Sequence, residues 1–281
     1  MIASFELSWL GGAAERHARR RRSGIDDLPW GTLEPTDYPP ELVERARLSW
    51  TQGAFNEYCT AAAFAELTGA LLAANAPIDL VAMAGDFVAD EMVHVELNAR
   101  VAMELGGGAP VSVDFGALTP TPRRGLSPIQ RASELCVRTC CVGEAFSVPM
   151  LVGTLRAAAH PLTRAVLQRI VKDESPHARL GWLYLGWIAE GLDARERRRL
   201  GRIAESSLAE YAPYWRSISS TAIDGITSEG FQLAHVHELG WMEAQAYAAG
   251  ARHAVRTEIV EPLARFGIPV RAAVVEELLG N

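Results

Sequence analysis

The sequence predicts an all-α protein. Apolar residues recur at helical spacing, every three to four positions, through several long stretches. Runs of β-branched residues are short, and Ala, Leu, Arg and Glu, which favour helices, are abundant. Such periodicity is the main sequence signal of amphipathic helices. With 281 residues, the chain is also long enough to bury a sizeable core.

The helices are separated by clear stop and start signals. Asn75 and Pro77 end the first long helix, and Gly106–Gly108 ends the second. Pro128 opens the third helix, and Asp193 is a favourable N-cap for the fifth. The predicted helices cover residues 41–74, 78–105, 128–158, 161–190, 193–211, 229–266 and 270–279.

The predicted architecture is a bundle of two helical hairpins with further helices outside it. Residues 1–44 are expected to form an N-terminal arm, and residues 45–191 a four-helix bundle whose hairpins are joined by a long crossover at residues 109–127. Residues 192–281 supply additional C-terminal helices packed on the bundle. The chain length allows one large domain or two small ones, and we expect a single domain overall.

Charge and cysteine content limit the possible partners and compartments. A net charge of −7 argues against general nucleic-acid binding, and the Arg19–Arg22 run is interpreted as a solvated arm. The four cysteines contain no C-x-x-C pair and are interpreted as reduced core thiols. No unbroken apolar run reaches the roughly 18 residues of a membrane span. We therefore expect a cytoplasmic protein that binds neither nucleic acid nor membranes.

Two copies of the pattern D-E-x-x-H, Asp90–His94 and Asp173–His177, indicate the chemistry. In each copy a Glu and a His three positions apart lie on one helix face, so both can bind one metal ion. The second copy follows the first at an offset of 83 residues, as an internal duplication of a hairpin would. Helices that face each other would bring together four side chains: Glu91, His94, Glu174 and His177.

One further carboxylate from each partner helix would complete a site of four Glu and two His for two metal ions. Glu144 lies as far before the turn of the second hairpin as Glu174 lies after it, so the two are level. In the first hairpin neither Glu57 nor Glu66 is level with Glu91, and each misses by a turn or so, roughly 6–8 Å. Glu57 is preferred, and Glu66 stays open as the alternative.

Asp90 and Asp173 are expected to support the histidines. A metal-bound imidazole usually donates its other N–H to a carboxylate. Asp90 would hold His177, and Asp173 would hold His94, across a pseudo-twofold axis. Four carboxylates and two imidazoles form an oxygen-rich site that suits iron or manganese better than zinc or copper. The expected cofactor is two iron ions or a manganese–iron pair.

Three residues near the motifs are candidates for a substrate pocket: Tyr184, Phe87 and Val148. Tyr184 lies seven residues after His177, two turns along the same helix face, although packing is the simpler role for it. Pro176 lies within the second motif. It removes a helical hydrogen bond and is expected to bend the fourth helix or to leave a carbonyl free.

The doubled motif resembles that of the ferritin-like di-iron carboxylate superfamily. The resemblance covers about residues 45–191: Glu57 precedes Asp90–His94, and Glu144 precedes Asp173–His177, each by about 30 residues. It is similar in particular to oxygenases and oxidases, including arylamine N-oxygenases and acyl-carrier-protein desaturases. The resemblance implies a ferritin-like four-helix bundle and O2 activation at a di-iron centre. The ligands that it implies are Glu57, Glu91, His94, Glu144, Glu174 and His177.

Two positions depart from these relatives. Arylamine N-oxygenases carry a third histidine ligand one turn before the glutamate of the second motif, where this chain has Ile170. Some hydroxylases carry a threonine one turn after the glutamate of the third helix, where this chain has Val148. The resemblance is therefore to the oxygen-activating group as a whole.

The expected function is that of a non-haem di-iron oxygenase or oxidase. It would activate O2 to oxidise a small organic substrate by hydroxylation, N-oxygenation or desaturation. An external electron donor is expected, because the sequence has no flavin or iron–sulfur motif, and the last long helix could serve a homodimer. The alternative is a ferritin-like protein that oxidises and stores iron or scavenges peroxide, although the rubredoxin-like cysteine centre of many peroxide-reducing relatives is missing.

Overall fold

Helices make up about 71% of the chain, and the all-α prediction is confirmed. The computed structural model describes residues 2–20, 23–119, 124–216, 218 and 222–280. Part of the Arg19–Arg22 run and part of the predicted crossover, residues 21–22 and 120–123, lie outside the described residues. Two short strands, β1 (Ile2–Ser4) and β2 (Ser112–Asp114), pair antiparallel and tie the N-terminal arm to the crossover.

Thirteen helices are described in chain order. They are α1 (Gly12–Arg19), α2 (Pro40–Ala73), α3 (Ile78–Glu104), α4 (Pro128–Cys136), α5 (Ala145–Ala157), α6 (Pro161–Glu174), α7 (His177–Ile188), α8 (Ala194–Tyr211), α9 (Pro213–Arg216), α10 (Leu233–Glu238), α11 (Ala244–Ala254), α12 (Glu261–Arg265) and α13 (Ala272–Leu279). Two π-helical segments, Val137–Glu144 and Val255–Val260, join α4 to α5 and α11 to α12.

Helix starts follow the local signals in the sequence. Pro128 is the first residue of α4, where a missing N–H costs nothing. The Ser127 side chain accepts a hydrogen bond from the Gln130 N–H while the Gln130 side chain accepts one from Ser127 N–H, which is a capping box. Asp193 caps α8 through the Glu196 N–H, as predicted.

Four long rods surround the place where the motifs meet. They are α2, α3, the continuous rod of α4, its π-helical segment and α5, and the broken rod of α6 and α7. Helix α2 packs along α3, and α5 packs against α6. Helix α3 also contacts α6 and α7, and α2 contacts α4. The two D-E-x-x-H motifs, on α3 and at the α6–α7 junction, are thereby brought face to face.

The third rod contains a feature that the helical periodicity did not predict. Its segment Val137–Glu144 is π-helical and ends at Glu144. Helix α7 packs tightly on this segment, since a Cβ at Gly181 would lie 2.6 Å from Cys141 Sγ and 3.0 Å from Cys140 Cβ. A π-helical insertion changes the direction of the residues around it and is frequent at functional sites.

The fourth rod is interrupted at Ser175 and Pro176. Helix α6 ends at Glu174 and α7 begins at His177, with Ser175 and Pro176 between them. The break therefore falls between Glu174 and His177, the Glu and His of the second motif, whose side chains remain in contact.

The single long helix predicted for residues 229–266 is wrong. The structure has α10, α11, the π-helical segment and α12 there, with a break between α10 and α11. Gly240 causes the break, because its φ of 90° suits glycine and a Cβ there would lie 2.7 Å from Trp50 Cζ2. The apolar periodicity continues across Gly240, and for that reason it did not predict the break.

The C-terminal helices pack on the third rod. Helix α8 contacts the π-helical segment Val137–Glu144, α11 contacts α5, and α13 contacts α8. The buried Trp215 donates from Nε1 to the Leu278 carbonyl at 2.9 Å. One cluster of buried apolar residues runs from Phe64 on α2 to Leu279 on α13. The division into residues 1–44, 45–191 and 192–281 stays a prediction.

The third rod is also apolar enough, by length and composition alone, to cross a membrane. It spans Pro128–Ala157, and 61% of its most apolar window is buried inside the protein. This rod contains no unbroken apolar run of that length, because polar residues such as Glu144 interrupt its sequence. Burial against the other rods accounts for its composition.

Candidate metal centre

The two motifs meet between α3 and the α6–α7 junction. Glu91 and His94 lie on α3, Glu174 is the last residue of α6, and His177 is the first of α7. All four side chains are buried, with at most 2% of any residue exposed. Ionisable groups in an apolar interior are costly unless they are paired or coordinate a metal.

Each histidine contacts the carboxylates of both motifs. Nδ1 of His94 lies 3.0 Å from Glu174 Oε1 and 3.4 Å from Glu91 Oε2. Nδ1 of His177 lies 2.8 Å from Glu174 Oε2 and 3.1 Å from Glu91 Oε1. The two imidazole centroids are 6.2 Å apart. Glu91 and Glu174 therefore each span both histidines.

These short contacts do not have hydrogen-bond geometry. Both carboxylate oxygens of Glu91, Oε2 of Glu174 and both ring nitrogens of His94 and His177 are buried and make no hydrogen bond to any described residue. An unsatisfied buried polar group costs about 1–3 kcal/mol, and more when it is charged. A metal ion is the ligand that satisfies several carboxylate and imidazole lone pairs directed at one space.

Glu57 and Glu144 complete two overlapping groups of possible ligands. One group is Glu57, Glu91, His94 and Glu174, and the other is Glu91, Glu144, Glu174 and His177. Within each group the ligand atoms lie within 4.8 Å of one another. That span slightly exceeds twice a metal–ligand bond of about 2.1 Å, so a small inward shift would let one ion touch all four. The cluster could therefore bind metal, with Glu91 and Glu174 common to both groups.

Of the two candidates on α2, Glu57 joins the cluster and Glu66 lies in neither group. Oε1 of Glu66 instead accepts a hydrogen bond from Thr119 Oγ1 of the crossover at 2.7 Å. The approach of α2 to α3 explains the preference. A Cβ at Gly53 would lie 2.5 Å from Asn98 Oδ1, so the two helices are in close contact one turn from Glu57.

Asp90 and Asp173 lie behind the histidines, each beside the histidine of the other motif. Oδ2 of Asp173 lies 3.6 Å from His94 Nε2, and Oδ2 of Asp90 lies 3.7 Å from His177 Nε2. These separations are longer than hydrogen bonds, but they put each carboxylate on the ring nitrogen that faces away from the cluster. The supporting role of the two aspartates stays a prediction.

Arg169, which the D-E-x-x-H motifs did not predict, binds one of these two aspartates. Its Nε donates to Asp173 Oδ2 at 2.5 Å, and its Nη1 donates to the Ser23 carbonyl at 3.0 Å. The i, i+4 spacing of Arg169 and Asp173 on one helix was the available signal. The arginine ties the aspartate to the N-terminal arm and lowers the accessible motion of its carboxylate.

Burial and neighbouring charges set the protonation of the cluster. Burial raises the pKa of Glu57 and of Glu144 well above the usual carboxyl value, and nearby carboxylates add to this. Burial also acts to raise the pKa of Glu174, but the two histidines outweigh it and lower that pKa. Burial acts to lower the pKa of His177, but Asp90 and the cluster carboxylates raise it to about 12. The metal-free cluster therefore retains protons at neutral pH, and a bound cation would displace them.

Two phenylalanine rings pack against His177. The Phe87 ring lies 3.9 Å from the His177 ring, centroid to centroid, and the Phe64 ring lies 5.3 Å from it. Phe87, a pocket candidate, thus packs on a cluster residue. Phe64 was not predicted, although it lies seven residues after Glu57 on the same face of α2.

Tyr184 serves packing and hydrogen bonding. It is fully buried, and its hydroxyl shares a hydrogen bond of 2.8 Å with Ser133 Oγ and donates to the Ile129 carbonyl at 3.2 Å. Burial raises its pKa. The structure therefore gives Tyr184 a place in the core rather than an open wall.

Val148 is half-buried, and its neighbour Ser147 is the residue that reaches the cluster. Ser147 Oγ donates to Glu144 Oε2 at 3.3 Å. Two surface cavities, of about 930 Å³ and about 370 Å³, are lined by none of the three pocket candidates.

Comparisons with known proteins add no relative. No protein-family model, no curated protein and no solved structure matches the chain. The fold and the site define an all-α protein with a buried cluster of glutamates and histidines that could bind metal.

Proposed function

We propose that this chain is a non-haem di-iron oxygenase or oxidase of the ferritin-like di-iron carboxylate superfamily, which activates O2 to oxidise a small organic substrate. The observation that carries the proposal is the pair of ligand groups that share Glu91 and Glu174, all of whose members are buried except the half-buried Glu57. In this proposal the four rods are a ferritin-like four-helix bundle, and the C-terminal helices cover it.

The donor set fits two iron ions. Glu57 and His94 would hold one ion, Glu144 and His177 would hold the other, and Glu91 and Glu174 are available to both. Two divalent ions would balance the four carboxylates. Each ion would have three carboxylates and one imidazole as donors, a set that suits iron, or manganese with iron. Two bound ferrous ions would supply electrons for the reduction of O2.

The chain's own residues support that chemistry in three ways. The Phe87 ring and the packing of the four rods keep water away from the cluster, which protects a reactive centre from side reactions. Asp90 and Asp173 would fix the tautomer and orientation of the histidines. The Ser147 hydroxyl lies at Glu144 Oε2, where it can hold a proton beside the cluster.

The remaining parts of the proposal concern partners and compartment. Reduction of O2 by the cluster requires an external electron donor and a small-molecule substrate. We place the protein in the cytoplasm, since all four cysteines are free, as expected in a reducing compartment.

The decisive experiment combines metal content with reaction toward O2. The metal-free protein is loaded anaerobically with ferrous iron, analysed for iron per chain, and mixed rapidly with O2 while visible absorbance and O2 uptake are followed. We expect two irons per chain, matching the two ligand groups, and a transient absorbance accompanied by O2 uptake. The variant Glu91→Ala should lose both signals, whereas Glu66→Ala should keep them.

Two outcomes would contradict the proposal. An iron-loaded protein that is inert to O2 would not be an oxygenase. An iron content far above two per chain would instead indicate the alternative, iron oxidation and storage.

A further inference from the structure

A second possible site lies at the end of α7 opposite to His177. A cavity of about 930 Å³ opens between the start of α4, the end of α7 and the start of α8. Its volume is at the upper end of the range for small-molecule sites, about 300–1,000 Å³. No residue of the metal cluster lines it. The cavity is therefore independent of the cluster.

Three arginines of α8 form one wall of the cavity: Arg195, Arg199 and Arg202. Their i, i+4, i+7 spacing puts them on one helix face. Arg199 is engaged by two carboxylates, Glu134 and Glu196, each at 2.7 Å. Arg195 and Arg202 are exposed, and neither makes a hydrogen bond or ion pair with any residue that the structure describes.

The acidic residues at the cavity are committed to partners in the protein. Oδ1 of Asp193 accepts the Glu196 N–H at 2.7 Å, and both oxygens of Glu196 bind Arg199 Nε at 2.9 Å and 3.1 Å. Glu205, the acid nearest in sequence to Arg202, is bound by Arg271 Nη2 at 2.7 Å. Three arginines line the cavity against two acids, Asp193 and Glu196, so its charged lining is net positive.

The cavity lining also includes one aromatic side chain. Trp187 lines the cavity with 39% of its surface exposed. Its ring packs edge-on against the buried Tyr184 ring, 5.7 Å between centroids, and the Tyr184 hydroxyl is fixed to Ser133, another cavity residue. A tryptophan held by a buried neighbour presents a flat surface at little cost in conformational entropy.

We propose that this cavity binds a planar aromatic anion, with the ring of the ligand against Trp187 and its acidic group at Arg195 and Arg202. A guanidinium binds phosphate or carboxylate through paired hydrogen bonds, and a bound aromatic ring gains from stacking. The chemistry fits a phosphorylated flavin or an aromatic carboxylic acid. The site does not depend on metal.

The test is a binding titration of the full chain with four probes. Flavin mononucleotide has both a planar ring and a phosphate, riboflavin has the ring alone, inorganic phosphate has the charge alone, and 2-naphthoate has a ring with a carboxylate. Flavin fluorescence or equilibrium dialysis reports binding. At least one of the two aromatic anions should bind about tenfold or more tightly than riboflavin and phosphate, because a charge-assisted contact contributes that much.

Variants identify the site. The double variant Arg195→Gln/Arg202→Gln should weaken the binding of the tighter-binding aromatic anion about tenfold, because it removes two positive charges. Trp187→Leu should weaken the binding of both aromatic anions. Arg198→Gln is the matched control, since Arg198 is an exposed arginine of α8 that does not line the cavity. Binding should persist in Glu91→Ala, which separates this site from the proposed di-iron function.

Each outcome is informative. Tighter binding of flavin mononucleotide would identify a flavin phosphate site, and tighter binding of 2-naphthoate would identify a site for aromatic acids. The proposal is overturned if neither anion binds, or if the control variant Arg198→Gln weakens binding as much as the double variant.

Discussion

Nδ1 of His94 lies 3.0 Å from Oε1 of Glu174, which belongs to the other D-E-x-x-H motif. The relationship is reciprocal, because Nδ1 of His177 lies 3.1 Å from Oε1 of Glu91. Neither motif forms a complete site alone. The two helices that carry them must be packed together before either histidine meets its second carboxylate, so metal binding and tertiary structure are coupled.

The shared and unshared glutamates should differ in metal stoichiometry. Glu91 belongs to both ligand groups, whereas Glu57 belongs to one. We expect Glu91→Ala to lose nearly all bound iron and Glu57→Ala to retain one of two ions, as measured by elemental analysis of purified protein. Glu66→Ala is the control and should retain both. Equal iron loss in Glu57→Ala and Glu91→Ala would argue against a shared ligand.

Asp90 should strengthen metal binding without contacting the metal. Its carboxylate lies 3.7 Å from Nε2 of His177, on the side of the ring away from the cluster. We expect Asp90→Asn to weaken metal affinity about 10- to 100-fold, the usual effect of losing such a partner. Asp86→Asn, an exposed position on the same helix, is the control. Competition with a chelator of known affinity measures both, and equal affinities would contradict the role.

Removing metal should destabilise the fold. The cluster gathers buried carboxylates and imidazoles that have no hydrogen-bond partner among the described residues. Metal at a free concentration about 1,000 times its Kd would stabilise the folded state by about 4 kcal/mol. We expect a chelator to lower Tm and added iron to restore it. The Tm of Glu91→Ala should not respond to metal, and a response there would point to binding elsewhere.

A tight helix contact near the cluster can be tested with two glycines of α7. A Cβ at Gly181 would lie 3.1 Å from the Cys141 backbone N and 2.6 Å from its Sγ, whereas nothing lies within 4 Å of a Cβ at Gly186. We expect Gly181→Ala to destabilise by about 1–3 kcal/mol through overpacking. Gly186→Ala should stabilise by about 0.5–1 kcal/mol, as alanine does in a helix. Urea denaturation measures both, and a stabilised Gly181→Ala would refute the close packing.

The ion pair of Glu205 and Arg271 should give a pH-dependent contribution to stability. The hydrogen bonds from Arg271 lower the pKa of the Glu205 carboxyl, more than its burial raises it. Because the folded-state pKa lies below the unfolded one, the contribution is present above the unfolded pKa of about 4.3 and is lost as pH falls through the folded value.

The variant Glu205→Gln tests this sign. Its Tm should lie below that of the wild type at neutral pH, and the difference should shrink below about pH 4, where the wild-type carboxyl takes up its proton. A Tm difference that is the same at pH 3 and pH 7 would show that charge is not involved.

Local spacing determined much of this protein. The apolar periodicity predicted an all-α chain, and proline and capping residues predicted the starts of α4 and α8. The D-E-x-x-H spacing put Glu91 beside His94 on one helix face, because 3.6 residues complete a turn. These features depend on contacts between residues close in sequence, so the sequence alone was sufficient for them.

Only the tertiary structure decided between Glu57 and Glu66, since the close approach of α2 to α3 at Gly53 is set by packing and not by distance from the turn. The π-helical segment Val137–Glu144 and the helix break at Gly240 could not be predicted from the apolar periodicity, because it continues through both. The physical reason is common to them. Each of these features depends on which distant part of the chain a helix packs against. The pattern of apolar residues predicts which face of a helix is buried, but it does not predict the segment that covers that face.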